Sequence, residues 1–218
     1  MSKILDKNQE NFLHCFSSNK LLTDKFYLSG GTALCEYYIP YRYSEDLDFF
    51  TEEEVDLEPI TVFFKSIKKQ LGYTKFDIQT RFNRNLFFID FPQDALKTEF
   101  TYYPFTRIEK GFKKNNLQID SILDIAVNKL FTIYQKPRSR DFMDLYMVNQ
   151  KNLYLITDLI KKARAKFDWQ VDLLTLGSQF LQASRLKDYP RLKIKLNHKD
   201  WQNYFVEEAK RLKKDIVF

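Results

Sequence analysis

Apolar residues recur with two different periods along this chain of 218 residues. In "ILDKNQENFLHCF" the residues Leu5, Phe12, Leu13 and Phe16 fall at helical spacing, and "EPITVFFKSIKKQLG" repeats the pattern through Ile60, Phe63, Phe64, Ile67 and Leu71. Pro59 near the start of the second run and Gly72 just past its end punctuate it as a helix. Between and after these runs lie short stretches rich in aromatic and β-branched residues, bounded by turn formers: "KFYLS", "DLDFF", "KFDIQTRF", "NLFFIDF" and "LKTEFTYY". They predict strands. From Asp120 onward the period is helical throughout, in "SILDIAVNKLFTIYQ", "RDFMDLYMVNQ", "LYLITDLIKKARAKF", "QVDLLTLGSQFLQASRL" and "KDWQNYFVEEAKRLKK". The pattern predicts an α+β chain: a mixed sheet with flanking helices over residues 1–118, then a helical lobe over 119–218, joined near the polar, basic "EKGFKKNNLQ".

Composition narrows the class. With 44% hydrophobic and 17% aromatic residues, the chain has enough apolar surface to offset its entropy on folding, which excludes wholesale disorder. Phe12, Phe16, Phe63 and Phe64 sit on core periodicity, so the aromatic content reads mainly as packing. No run reaches the length of an uncharged membrane span, and "MSKILDKNQENF" lacks the apolar core of a signal peptide; the expectation is a cytoplasmic protein with no membrane partner. Cys15 and Cys35 have no metal-like spacing and read as free, packed thiols. His14 and His198 are isolated, and no Ser/His/Asp or Cys/His set stands out. Net charge is +6, carried by the C-terminal part: residues 1–118 hold 16 Lys+Arg against 17 Asp+Glu, and residues 119–218 hold 19 against 12. That excess fits a polyanionic partner, or equally the solvated helix faces "IKKARAK" and "AKRLKKD".

The chemistry concentrates in "FYLSGGTALCEYYIPYRYSEDLDFF". On a strand, alternation puts Asp46 and Asp48 on one face and Leu47 and Phe49 on the other. Two residues of rise separate the acids by about 6.6 Å, where two ionised carboxylates repel by about 2.5 kcal/mol at an effective dielectric near 20. A positive group belongs beside them, and a divalent cation such as Mg²⁺ suits hard carboxylate oxygens. In "LKTEFTY", Glu99 shares a face with Lys97 and Thr101, so a third acid would converge if this strand lies beside the first. Upstream, "YLSGGTAL" predicts a strand ending at Ser29, a tight turn at Gly30 and Gly31, and a short helix beginning at Thr32. Such a turn lets phosphate approach the main chain, with helix amides behind it. The same residues also serve simple turning and capping, and the pairing with Asp-x-Asp 14 positions after Thr32 is what sharpens the signal.

Gly30-Gly31-Thr32 with Asp46-Leu47-Asp48 resembles the signature of the nucleotidyltransferase superfamily that includes DNA polymerase β, and "GGTALCEYYIPYRYSEDLDFF" is similar to the AbiEii/AbiGii toxin family within it. "LDIAVNKLFTIYQKPRSRDFMDLY" is similar to that family's third and fourth motifs, a helix lysine followed by an Arg-Asp-x-x-Asp-Leu block, so the resemblance spans roughly Phe26 to Tyr146. It implies a nucleotidyltransferase-like N-terminal lobe, with Asp46, Asp48 and Glu99 holding Mg²⁺ or Mn²⁺ and Gly30, Gly31 and Thr32 seating a nucleoside triphosphate. Arg42 and Ser44 match an Arg-x-Ser-x-Asp-Leu-Asp string and would orient phosphate or metal-bound water. Lys129 would reach the phosphates, Asp144 holds the position of a required acid, and Arg140 and Asp141 would support it.

Read without the family, Lys129 projects from a face made of Ile125, Ala126, Thr132 and Ile133 and would snorkel to solvent, and Arg140 would pair with Asp144 at i, i+4 on a surface helix. The resemblance further implies transfer of NMP to an RNA acceptor such as the tRNA 3′ end, release of pyrophosphate, and a cognate antitoxin protein in an abortive-infection system. The alternatives are a small-molecule or protein hydroxyl as acceptor, or a nucleotide-binding module without catalysis.

Overall fold

A computed structural model describes residues 4–151 and 153–214 and divides the chain into two compact units. The first comprises residues 1–106 and 110–121; the second comprises 107–109 and 122–218.

The first unit runs α1 (Lys7–Ser17), α2 (Lys20–Thr23), β1 (Tyr27–Ser29), α3 (Gly30–Tyr37), β2 (Asp46–Thr51), α4 (Leu57–Leu71), β3 (Lys75–Arg81), β4 (Arg84–Phe91), β5 (Asp94–Tyr102), β6 (Phe112–Lys114) and β7 (Leu117–Ile119). Its strands form one seven-stranded mixed sheet in the order β3-β4-β5-β2-β1-β7-β6. β2 lies parallel to β5 and antiparallel to β1, and β7 lies parallel to β1. All five strands expected from the sequence form. The "EKGFKKNNLQ" segment differs from a plain linker: it folds as the β6–β7 hairpin on the sheet edge, turning at Asn115 and Asn116 with Asn115 at φ 53°.

Helix α1 starts on a capping box, in which the Asp6 carboxylate accepts from the Gln9 amide and the Gln9 side chain accepts from the Asp6 amide. Helix α4 starts on Asp56 and stops at Gly72, whose φ of 73° is cheap only for glycine. Both helices lay their apolar stripes on the sheet face carrying Leu47, Phe49, Phe87 and Phe100, all fully buried. Phe16 stacks on Phe49 at 4.2 Å, Phe64 on Phe87 at 4.4 Å and Phe49 on Phe100 at 5.1 Å, so the phenylalanines expected in the core are its centre. The opposite sheet face is left to Asp46, Asp48, Lys97 and Glu99. Cys15 and Cys35 are buried thiols not joined in a disulfide.

The second unit contains α5 (Ile122–Gln135), α6 (Ser139–Gln150), α7 (Ile156–Phe167), α8 (Leu173–Leu181) and α9 (His198–Lys214), with a 3₁₀ turn at Gln182–Ser184. Phe142, Phe180, Trp201 and Phe205 interlock at its centre, Phe142 lying 4.7 Å and Phe180 5.1 Å from Phe205. Buried Asp124 on α5 accepts from the amides of Ile108 and Glu109, both at 2.9 Å, and from Lys166 of α7 at 2.6 Å. Those amide bonds tie residues 107–109 to the helical unit. Among the described residues no helix is long and apolar enough to cross a membrane.

Candidate active site

The β1–α3 junction and β2 are one piece of geometry. Antiparallel pairing sets Ser29 opposite Asp48, and the Ser29 hydroxyl donates to Asp120 at 2.7 Å instead of capping α3. The chain then turns through Gly30 at φ 71°, in the left-handed region where a Cβ is unfavourable. A methyl group there would lie 2.3 Å from Asp48 Oδ2, and one at Gly31 would lie 2.2 Å from Arg42 Nη2 and 3.1 Å from Ser44 Oγ. The two glycines therefore admit an acid and a guanidinium against the first turn of α3, where the helix dipole favours the carboxylate. The helix itself begins at Gly30, two residues earlier than the sequence predicts.

The neighbouring groups are fixed by the same fold. Thr32 is fully buried, and its hydroxyl donates to the Asp46 carbonyl at 2.5 Å, so what it can offer a ligand is its main chain. Arg42 is 3% exposed and donates through Nη1 to the Tyr43 carbonyl at 2.9 Å and through Nε to the Tyr41 hydroxyl at 3.2 Å. The carbonyl of half-buried Ser44 accepts from the Gln9 side chain at 2.8 Å, which makes the α1 capping box a support for this loop.

The open face of the sheet carries the acids in rows. Parallel register sets Asp46 beside Lys97 and Asp48 beside Glu99, and β4 brings Leu86 beside Glu99 and Arg84 beside Thr101. The strand bearing Glu99 thus lies where convergence required. The three carboxylates are nonetheless not drawn into one group. Lys97 reaches Asp46 at 3.0 Å, and Arg84 grips both oxygens of Glu99, at 2.5 and 2.6 Å, while Thr101 donates to Glu99 at 2.7 Å. Among the described residues, no set of three or more His, Cys, Asp or Glu is grouped to hold a metal ion.

Burial would push the Glu99 carboxyl up, but the hydrogen bonds from Arg84 and Thr101 and the charges of Arg84 and Lys97 hold it below its ordinary value. The Arg84 guanidinium is raised, first by the bond to Glu99 and also by the charges of Glu99, Asp48 and Asp46. Arg84 and Lys97 are the residues of this face that sequence reasoning missed as members of the site. For Lys97 the signal is the matched spacing of Lys97-x-Glu99 against Asp46-x-Asp48, visible only once the strands are known to be parallel and in register; Arg84, reaching Glu99 diagonally from β4, has no such signal.

In the helical unit, Lys129 is 8% exposed and does not snorkel. Its ammonium lies 2.7 Å from both Asp141 and Asp144 of α6, each fully buried, and Arg138 donates to Asp141 at 2.6 Å. Burial would raise the Asp141 carboxyl; the charges of Lys129 and Arg138 and their hydrogen bonds outweigh it and hold the group low. Arg140 makes no ion pair among the described residues, so the i, i+4 pair with Asp144 does not form; Asp144 turns instead to Lys129 on α5.

The glycine turn admits the second acid of the Asp-x-Asp strand, and a third acid lies beside it on the neighbouring parallel strand, the arrangement that the resemblance to nucleotidyltransferases leads one to expect. The model for the nucleotidyl transferase AbiEii toxin of type IV toxin–antitoxin systems matches residues 11–216, and the chain belongs to that family of nucleotidyltransferases. An uncharacterized protein of Aquifex aeolicus (strain VF5) is 32% identical over 165 residues, 75% of this chain and 76% of its own length. Two Helicobacter pylori structures share the fold. One, titled as a candidate nucleotidyltransferase, has a TM-score of 0.62 at 18% identity, with 97% of each chain covered. The other, JHP933, has a TM-score of 0.61 at 19% identity, covering 97% of this chain and 94% of its own.

Proposed function

We propose that this chain is a metal-dependent toxin that transfers NMP from an NTP to an RNA acceptor, the tRNA 3′ end being the favoured one, and releases pyrophosphate. The observation that carries the reading is the position of Asp46 and Asp48: half-exposed on one sheet face, with Asp48 seated against the first turn of α3. Their hard oxygens suit Mg²⁺ or Mn²⁺, and two protein carboxylates with phosphate and water is a usual Mg²⁺ set. The fit has a condition: Lys97 must give up Asp46, and Glu99 can serve as a third ligand or as a base only if Arg84 releases an oxygen. When bound, the metal polarises the α-phosphate and lowers the pKa of an attacking hydroxyl.

The chain's own residues supply the rest. The main chain of Gly30, Gly31 and Thr32 seats the triphosphate at the positive end of α3, and Arg42 and Ser44, packed on Gly31, orient it. The acceptor hydroxyl attacks the α-phosphorus in line as the bond to pyrophosphate breaks. On the resemblance, Lys129 serves as a charged donor for phosphate oxygens and Asp144 as the acid that holds it, with Asp141 and Arg140 in support. A cytoplasmic site of action and a cognate antitoxin protein belong to the same reading.

The test is labelling of total RNA by radioactive NTPs, with Mg²⁺, with Mn²⁺ and with EDTA. We expect metal-dependent labelling that falls at least 100-fold in Asp48→Ala, on the order of what one misplaced catalytic group costs. Labelling unchanged by that substitution, or indifferent to EDTA, overturns the proposal.

A further inference from the structure

The basic surplus of the chain has a narrower address than its helices. Residues 185–199 carry Arg185, Lys187, Arg191, Lys193, Lys195 and Lys199 against the single acid Asp188, so this segment holds +5 of the chain's +6. The helix cations that the composition draws attention to are partly answered by acids: Lys161 pairs with Asp158, Lys210 with Glu207, Arg211 with Glu208, and Lys166 with Asp124. In the segment the balance is reversed. Arg185, Lys187, Lys195 and Lys199 make no ion pair among the described residues, and all four are exposed. Lys199 stands in the first turn of α9, at the positive helix end, where a cation gains nothing from the fold.

The segment is also fastened down. Asp188 accepts from the amide and hydroxyl of buried Ser139, at 3.1 and 2.8 Å, closing the N-terminus of α6 in place of a local cap. Tyr189 stacks on His198 at 3.8 Å while remaining 36% exposed, and Asn197 accepts from the Lys199 amide at 3.1 Å. Leu186, Leu192 and Leu196 are half-buried between the cations. These four exposed cations on an anchored strap, with an aromatic ring exposed among them, match what a polynucleotide backbone and its bases require.

We propose that residues 185–199 form an RNA-binding strap that contacts the phosphates of the acceptor, which rests on the reading of this chain as an RNA-directed transferase. The test compares the whole protein with Arg185→Gln/Lys187→Gln/Lys195→Gln/Lys199→Gln and with a matched control, Lys65→Gln/Lys75→Gln/Lys161→Gln/Lys210→Gln. Each binds fluorescein-labelled bulk tRNA in anisotropy titrations from 50 to 200 mM salt, after urea denaturation shows the same midpoint. If four phosphate contacts are lost, the slope of log affinity against log salt becomes shallower by about 3, at roughly 0.7–0.9 per contact. Affinity at 50 mM salt should fall at least tenfold in the strap variant and by no more than about twofold in the control.

Equal loss in both variants, or none in the strap variant, overturns the strap. So does poly-glutamate binding as tightly as tRNA and losing affinity with it in the same variant, which would make the partner an acidic polypeptide. Strap-dependent tRNA binding by a wild-type protein that labels no RNA would leave the strap standing and overturn the transferase reading instead.

Discussion

Gly30→Ala separates the backbone requirement of the glycine turn from its role in admitting Asp48. At φ 71° an alanine costs about 1–2 kcal/mol in backbone strain. The methyl would also lie 2.3 Å from Asp48 Oδ2, 3.1 Å from Cγ and 3.3 Å from Cβ, so turning the carboxylate alone gives no relief and the side chain must move by about 1 Å. Overpacking of that kind costs about 1–3 kcal/mol more, and a displacement of about 1 Å in a reacting group costs on the order of 100-fold in rate. Gly72→Ala is the internal control. It has φ 73° with nothing within 4 Å of the new methyl, so it pays the strain without the collision. Urea denaturation should give Gly30→Ala a loss of about 2–5 kcal/mol against about 1–2 for Gly72→Ala. RNA labelling and Mn²⁺ affinity should fall in the first and hold in the second. Equal stability losses, with labelling and Mn²⁺ affinity intact in Gly30→Ala, would refute the reasoning.

Two further outcomes follow from the buried ion pairs. Lys129→Met leaves Asp141 and Asp144 buried with less compensation and should cost about 3–5 kcal/mol in urea denaturation, with part regained in Lys129→Met/Asp144→Asn; a loss under about 1 kcal/mol would show the triad to be dispensable for folding. Glu99, Asp124 and Asp141 are each held below their ordinary values, so the folded state binds fewer protons there than the unfolded chain. Their stabilisation is complete above the unfolded carboxylate values near pH 4 and is lost as pH falls through the depressed folded ones, so urea midpoints should drop steeply below about pH 4 and less steeply in Asp141→Asn.

Periodicity made most of the fold legible, because α1 and α4 bury one face at helical spacing and β2 and β4 show their buried face as an alternation. The β6–β7 hairpin escaped for the opposite reason. Phe112, Lys113 and Lys114 are all exposed on the sheet edge, so no buried face wrote a pattern into "FKK". Charge misled in a comparable way. Lysines on α7 and α9 stand out in the sequence, yet Lys161 and Lys210 pair with acids three residues before them, whereas the cations of residues 185–199 are interleaved with apolar residues and do not read as a run. In the site, alternation alone put Asp46 with Asp48, and Glu99 with Lys97 and Thr101. The counter-cations were not readable, because Arg84 reaches Glu99 diagonally from β4, a relation set by the register of three strands.

The pairing of the glycines with Asp-x-Asp then has a structural cause. Because Ser29 and Asp48 are cross-strand partners, the residue after Ser29 must pass the Asp48 side chain as the backbone leaves the sheet, and only a residue without Cβ can do so at φ 71°. Gly31 meets the same demand one residue later, where the loop returning to β2 lays Arg42 and Ser44 against it. Thr32 then closes the unit by donating to the carbonyl of Asp46, the first residue of β2. What reads in the sequence as a phosphate turn and, separately, a metal pair is thus one interlocked corner, in which Gly30 is required by Asp48 and Gly31 by Arg42 and Ser44 of the loop leading into β2. A lengthened loop between Tyr38 and Glu45 that keeps this corner should be tolerated for stability, since loop-closure entropy changes by only about 0.6 kcal/mol per doubling. A single methyl at Gly30 should not be.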